Sequence, residues 1–168
     1  VDRQAYYDSI HPQTIAFGKS LAQRFDSNEA IIDEVLNMFR RDEFFYTLKP
    51  PALGKDNVDE FLFGTRRGFC EHYAGSFALL MRAAGIPARI VTGYQGGEYN
   101  SSGNYLIVRQ SDAHAWTEVW LDKRGWIRVD PTAAVSPNRI EQGIDNALAD
   151  EVSSFRIQNR NPIFGNLL

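Results

Sequence analysis

The sequence predicts an α+β domain, with helices in the first half and an antiparallel sheet in the second. Two amphipathic segments precede residue 45, and a third apolar run with helical spacing follows the only cysteine, Cys70. Beyond Pro87 come four segments rich in β-branched and aromatic residues, each bounded by Gly, Asn, Asp or Pro. At 168 residues the chain fits one domain able to bury a sizeable core. The expected division is a helical part over 1–45, a catalytic core over 46–137 and a C-terminal helix and tail over 138–168.

Gln13 to Phe25 repeats apolar residues at Ile15, Leu21 and Phe25, with Pro12 available for a first helical turn. The next segment starts with Ser27 or Asn28 as cap and Glu29 in its first turn. Ile31, Ile32, Val35, Leu36 and Phe39 then share one face. These neighbours are expected to pair as helices. Lys49 to Asn57 carries two prolines and a glycine, which break structure, and Val58 to Gly64 has room for a helical turn. From Cys70 to Ala84, residues Phe77, Leu80, Met81 and Ala84 fall on one helical face, and Gly85-Ile86-Pro87 ends the run. The segments 88–94, 104–110, 113–121 and 125–130 read as a meander of strands. Residues 139–151 read as one more helix.

A net charge of −3 with no long basic run leaves no footprint for nucleic acid, and no apolar stretch reaches bilayer-spanning length. The opening residues, Val1 to Ile10, contain neither an initiator methionine nor a leader, as expected of a piece of a longer protein. One cysteine cannot form an internal disulfide. The histidines and the cysteine are too scattered for zinc, and no loop gathers carboxylates for calcium, so no cofactor is expected.

Cys70 sits where unpaired helix-start amides favour a thiolate and can hold an oxyanion, whereas a buried structural thiol is the commoner fate of a cysteine. Gly68 removes a side chain where a substrate backbone would approach. Three histidines could serve as base. His72 is turned roughly 200° around the helix from Cys70, and His11 sits in a turn where a solvated or capping role suffices. That leaves His114, whose strand face also carries Trp116, Glu118 and Trp120.

An acidic partner accepting from Nδ1 of His114 would fix the tautomer, and Asp130 ends the next strand, although an aspartate before Pro131 could equally start a turn. A hairpin over Lys123-Arg124-Gly125 would set Asp130 opposite Glu118, on the correct face. It would also leave Asp130 about 13 Å along the strand from His114, a gap needing a bulge or strong twist.

The stretches Gly68 to Tyr94, Asp112 to Leu121 and Gly125 to Thr132 occur in the order of the three motifs of the transglutaminase-like superfamily, which they resemble from about Tyr46 to Pro137. Tyr46 to Phe63 resembles in particular the periplasmic transglutaminase-like domain of multi-spanning bacterial inner-membrane proteins. The resemblance implies a papain-like core with the nucleophile at a helix N-terminus packed on an antiparallel sheet. It further implies Cys70 as nucleophile, His114 as base and then acid, and Asp130 as the group orienting His114.

The implied reaction is acyl transfer from a glutamine γ-carboxamide through a thioester to lysine or another amine. Protein substrates are its partners, and the membrane anchor lies outside this piece. Cysteine proteases and peptide N-glycanases share the superfamily, as do binding modules that have lost the triad, and a periplasmic location makes amide bonds of cell-wall peptides an alternative substrate for a protease or amidase. Trp116 is a candidate wall for the acyl channel, with ordinary packing as its alternative, while Trp120 and Trp126 are assigned to the core. The chain departs from tissue-type transglutaminases in having no tryptophan before Cys70. Tyr46 is a candidate second oxyanion donor, although packing accounts for it as well.

Overall fold

A computed structural model describes residues 9–137. Helix α1 (Pro12–Arg24) and helix α2 (Asn28–Arg41) lead into a short strand, β1 (Phe45–Tyr46). One helical turn (Asn57–Asp59) then continues as a π-helical turn (Glu60–Thr65) before β2 (Arg67–Gly68), which pairs in parallel with β1. Helix α3 (Cys70–Ala83) follows, then β3 (Ala88–Tyr94), a hairpin of β4 (Glu98–Asn100) and β5 (Tyr105–Ile107), and the long strands β6 (Ala113–Leu121) and β7 (Gly125–Val129). A 3-10 turn, Pro131–Ala134, closes the described chain. The helix expected at 139–151 lies outside the described residues.

Helix α3 is the axis of the fold, because nearly every side of it is apolar. Tyr73, Phe77, Leu80 and Met81 have no exposed surface, and such side chains each stabilise the fold by roughly 1.5–3 kcal/mol through burial. Helices α1 and α2 do not form the expected pair. Helix α1 packs chiefly on α3, where a Cβ at Gly18 would stand 2.5 Å from Cβ of Ala83, and α2 adds Val35 and Phe39 to the same core. The backbone contact at Gly18 explains the preference, since two helices approach that closely only where a side chain is missing.

Local signals end these helices as expected. Ser27 Oγ accepts from the Ala30 amide at 3.2 Å, and Gly85 at φ +86° turns the chain out of α3 while the Ile86 amide donates back to the Met81 carbonyl. Helix α1 is capped from a distance. The Asp59 carboxylate, itself buried, accepts the amides of Gln13 and Thr14 at 2.9 and 2.8 Å. His11 is therefore neither solvated nor a side-chain cap: it is buried beside that helix start with Nδ1 unpartnered.

The main sheet has three strands in the order β3-β6-β7, antiparallel throughout. Residues 104–110 do not join it, since β5 pairs with β4, a short strand of Glu, Tyr and Asn that carries no apolar alternation. The meander is thus interrupted by a hairpin that leaves at Tyr94 and returns at Ala113, two residues paired across β3 and β6. One face of β6, with Ala115, Thr117, Val119 and Leu121 buried, lies against α3. The Thr117 hydroxyl fastens it there by donating to the Ala74 carbonyl at 3.0 Å.

The opposite face of the sheet is half open. Trp120 and Trp126, expected in the core, stand edge to face on this outer side, each 41% exposed. Arg89 stacks over Trp126 at 4.2 Å and pairs with Glu118, so cation–π contact and an ion pair substitute for burial. Strict alternation explains the error: Ile127 and Val129 take the inner positions on β7, which leaves Trp126 outside.

Candidate active site

Helix α3 and strand β6 place the thiol and the imidazole. Cys70 is the first residue of α3 and is 8% exposed, packed against Ala74 one turn on and against Ala115 of β6. His114 precedes Ala115 and is 3% exposed. The helix begins at Phe69, whose carbonyl accepts the amides of His72 and Tyr73, so the amides of Cys70 and Glu71 lie before the first helical hydrogen bond.

His72 serves that helix start, because its Nδ1 accepts the Phe69 amide at 3.3 Å. Burial holds its pKa below the usual imidazole value, which suits a neutral acceptor. Gly68 has a different reason from substrate approach. A Cβ there would lie 2.7 Å from the His72 side chain and 2.9 Å from the Phe61 ring, so the chain's own aromatic groups already occupy the space.

The histidine–aspartate pair forms with the ring reversed from expectation. His114 Nε2, not Nδ1, lies 2.7 Å from Asp130 Oδ2, and Nδ1 is left as the nitrogen available to the thiol. Nδ1 is buried and has no partner at hydrogen-bonding geometry, a looseness common in catalytic pairs before substrate tightens them. Burial is the largest single influence on His114 and acts to lower its pKa. The hydrogen bond and charge of Asp130, together with the nearby Cys70 sulfur, outweigh it, and the net value rises above 6.5.

The expected 13 Å gap closes without a bulge. The turn covers Asp122, Lys123 and Arg124, with Lys123 at φ +67° and Gly125 at φ +75°, so that Leu121 faces Gly125 and Thr117 faces Val129. Extending that register sets Asp130 opposite Trp116, one diagonal step or about 7 Å along the strand from His114. The shift from the expected register is two residues, which keeps Asp130 on the same face.

Asp130 makes two contacts at once. Its Oδ2 meets His114, while Oδ1 accepts the Thr132 amide at 3.2 Å and starts the 3-10 turn.

Trp116 stands on the His114 face, its ring stacked at 23° to the imidazole with centroids 6.2 Å apart. It belongs to neither buried cluster and lies across Gly93, where a Cβ would come within 2.9 Å of the indole. Sequence reasoning passed over Arg128, whose guanidinium covers the indole at 4.3 Å and whose Nη2 donates to Asp130 Oδ2 at 3.3 Å. Its place two residues before Asp130, on the same strand face, was the available signal. A cavity of about 500 Å³ lies on another side of α3, lined in part by Pro50, Leu53, Phe61, His72 and Ser76, and neither Cys70 nor His114 borders it. Among the described residues no group of three or more His, Cys, Asp or Glu side chains could hold a metal ion. No helix among them is long and apolar enough to cross a membrane.

A thiol at a helix start, a buried imidazole on the adjoining strand and a carboxylate just beyond the next can be compared with known proteins as a unit. The sequence model of the transglutaminase-like superfamily matches residues 18–131. The chain belongs to that superfamily. A Pseudomonas aeruginosa protein-glutamine gamma-glutamyltransferase is 55% identical to this transglutaminase-like chain over 141 residues, covering 84% of this chain. The chain spans only 21% of that relative's length.

The structure of the periplasmic domain of TgpA from Pseudomonas aeruginosa superposes with a TM-score of 0.78 at 49% identity, covering 87% of this chain and 53% of that one. A Cytophaga hutchinsonii structure, 21% identical and with a TM-score of 0.53, covers 76% of this chain and 39% of its own and shares the fold alone. The mixed α+β architecture expected of a transglutaminase-like domain, with Cys70 opening the central helix against the sheet, is the one observed.

Proposed function

We propose that this transglutaminase-like chain is the catalytic domain of a protein-glutamine gamma-glutamyltransferase, with Cys70 as nucleophile, His114 as base and acid, and Asp130 as the group that orients His114. The observation that carries the reading is the position of His114, bonded through Nε2 to Asp130 and adjoining Ala115, against which Cys70 packs. With Asp130 accepting from Nε2–H, the neutral ring presents the Nδ1 lone pair, the nitrogen suited to take the thiol proton.

The thiolate attacks the γ-carboxamide carbon of a glutamine, and the developing oxyanion meets the Cys70 amide at the helix start. Collapse breaks the C–N bond, His114 gives its proton to the leaving ammonia, and a thioester remains. A lysine ε-amine, or another primary amine, then attacks the thioester. His114 takes the amine proton, the C–S bond breaks, and the thiolate returns. Trp116 forms one wall of the channel by which the acyl group reaches Cys70. The chain works in the periplasm as part of a larger membrane-anchored protein, a placement supported by its likeness to the TgpA periplasmic domain.

Incorporation of a labelled primary amine into a glutamine-bearing protein tests the assignment, with ammonia and new peptide termini measured in parallel. The expected result is label and ammonia in equal amount, no new termini, and complete loss in Cys70→Ala. That variant should melt within about 3 °C of the wild type, because the thiol contributes little packing. Ammonia without label would make the domain a deamidase, fresh termini would make it a protease, and turnover in Cys70→Ala would remove the thiol from the chemistry.

A further inference from the structure

The outer face of the sheet carries a side-chain assembly behind the triad. Arg128 sits on β7 two residues before Asp130, and its Nη2 has two acceptors: Asp130 Oδ2 at 3.3 Å and Gln95 Oε1 at 2.9 Å. One guanidinium nitrogen carries two protons, so both contacts can be made at once. The plane of the same group lies 4.3 Å over the Trp116 indole, and Trp116 in turn stacks on His114. Gln95 follows β3 directly, and its amide donates to the Asp112 carbonyl just ahead of β6. A half-exposed arginine thus ties the ends of all three strands around the imidazole, touching His114 through two intermediaries, one charged and one aromatic.

We propose that Arg128 is a positioning residue for the thiol–imidazole pair, holding the Asp130 carboxylate and the Trp116 indole so that the His114 ring cannot tilt away from Cys70. The ring is otherwise fixed only at Nε2, because Nδ1 has no partner at hydrogen-bonding geometry. Rotation about that single contact is what the stacked indole blocks, and the indole is itself held between Gly93 and the guanidinium. The role demands a planar cation, because the same group must donate at its edge and cover the indole with its face. A lysine ammonium has donors enough for both acceptors but no plane to lay over the indole while it reaches them.

The inference rests on the triad assignment, and its test separates the two. Iodoacetamide alkylation of Cys70 at neutral pH reads the thiol–imidazole pair without any acyl acceptor. In the wild-type background Arg128→Gln should slow alkylation on the order of tenfold, the scale of a small misplacement of reacting groups. In an Asp130→Asn background the same change should cost less than about twofold, since both substitutions act through one ring. Arg128→Lys should stay within about twofold of Arg128→Gln, and Gln95→Met, which removes one acceptor, should give a smaller loss in the same direction. Melting temperatures taken alongside identify any variant that loses its fold, and the Gln95 variant then decides.

Equal losses in both backgrounds would assign Arg128 a structural role only. Full recovery in Arg128→Lys would show that charge alone matters and overturn the positioning role. Rates unaffected by Asp130→Asn itself would overturn the triad, a failure distinct from either.

Discussion

Asp130 stands one residue beyond β7, opposite Trp116, and reaches diagonally to His114 Nε2 at 2.7 Å. The diagonal fixes which ring nitrogen meets the carboxylate and hence which one is left for the thiol. Asp130→Asn should therefore lower turnover by two or more orders of magnitude while keeping the fold. An amide donating to Nε2 would place the proton on Nδ1, where it blocks proton transfer from Cys70. Amine-incorporation kinetics beside a melting curve make the comparison. Near-normal turnover would reduce Asp130 to its other task, accepting the Thr132 amide.

Trp116→Ala should alter the fate of the thioester more than its formation. With the indole gone from beside His114, water gains access and the ratio of glutamate to amine adduct should rise severalfold, while the initial ammonia burst persists. An unchanged ratio would leave Trp116 a packing partner of Arg128 and Gly93 alone.

His114 and His72 should tilt stability in opposite directions with pH. The His114 value is raised above 6.5 in the fold, so its contribution is complete below that pH and is lost as pH climbs through the folded value. His72 is held below 6.5, chiefly by burial, so its contribution is complete above 6.5 and is lost as pH falls. Urea unfolding of His114→Gln and His72→Gln from about pH 5 to about pH 9 isolates each slope. Relative to wild type, stability should fall less with rising pH in the first variant and fall less with acidification in the second. Parallel profiles for all three proteins would contradict both assignments.

Gly68→Ala should destabilise the domain by about 1–3 kcal/mol, because the added methyl meets His72 and Phe61 under 3 Å. The melting temperature should drop before any change in KM is seen. A normal melting temperature with a raised KM would restore Gly68 to substrate approach.

Much of the site was legible because helix and strand periods are written locally. Helix α3 and strands β3 and β6 lie where their apolar spacing places them, and parity alone put His114 and Asp130 on one face. What failed depended on the turn and on distance. Lys123 takes a left-handed conformation that nothing in a lysine announces, so the hairpin was placed one residue late and its register two residues off. The orientation of the imidazole could not be read from spacing, since either nitrogen can meet a carboxylate. Asp59 reaches the amides of Gln13 and Thr14 across a long stretch of chain, which local pattern does not report.

The turn between β6 and β7 lies at the far end of the sheet from the thiol, yet it acts as the reading frame for the His114–Asp130 contact. A slip of one residue would drive Ile127 and Val129 into solvent and Arg128 and Asp130 into the core, so that error removes the protein rather than producing a folded, idle one. A slip of two residues preserves the faces and would escape that check. Against it stand the left-handed turn at Lys123 and Gly125, which suits Leu121 facing Gly125 and no pairing further along. Gly125 thereby governs how Asp130 meets His114 at the other end of the sheet.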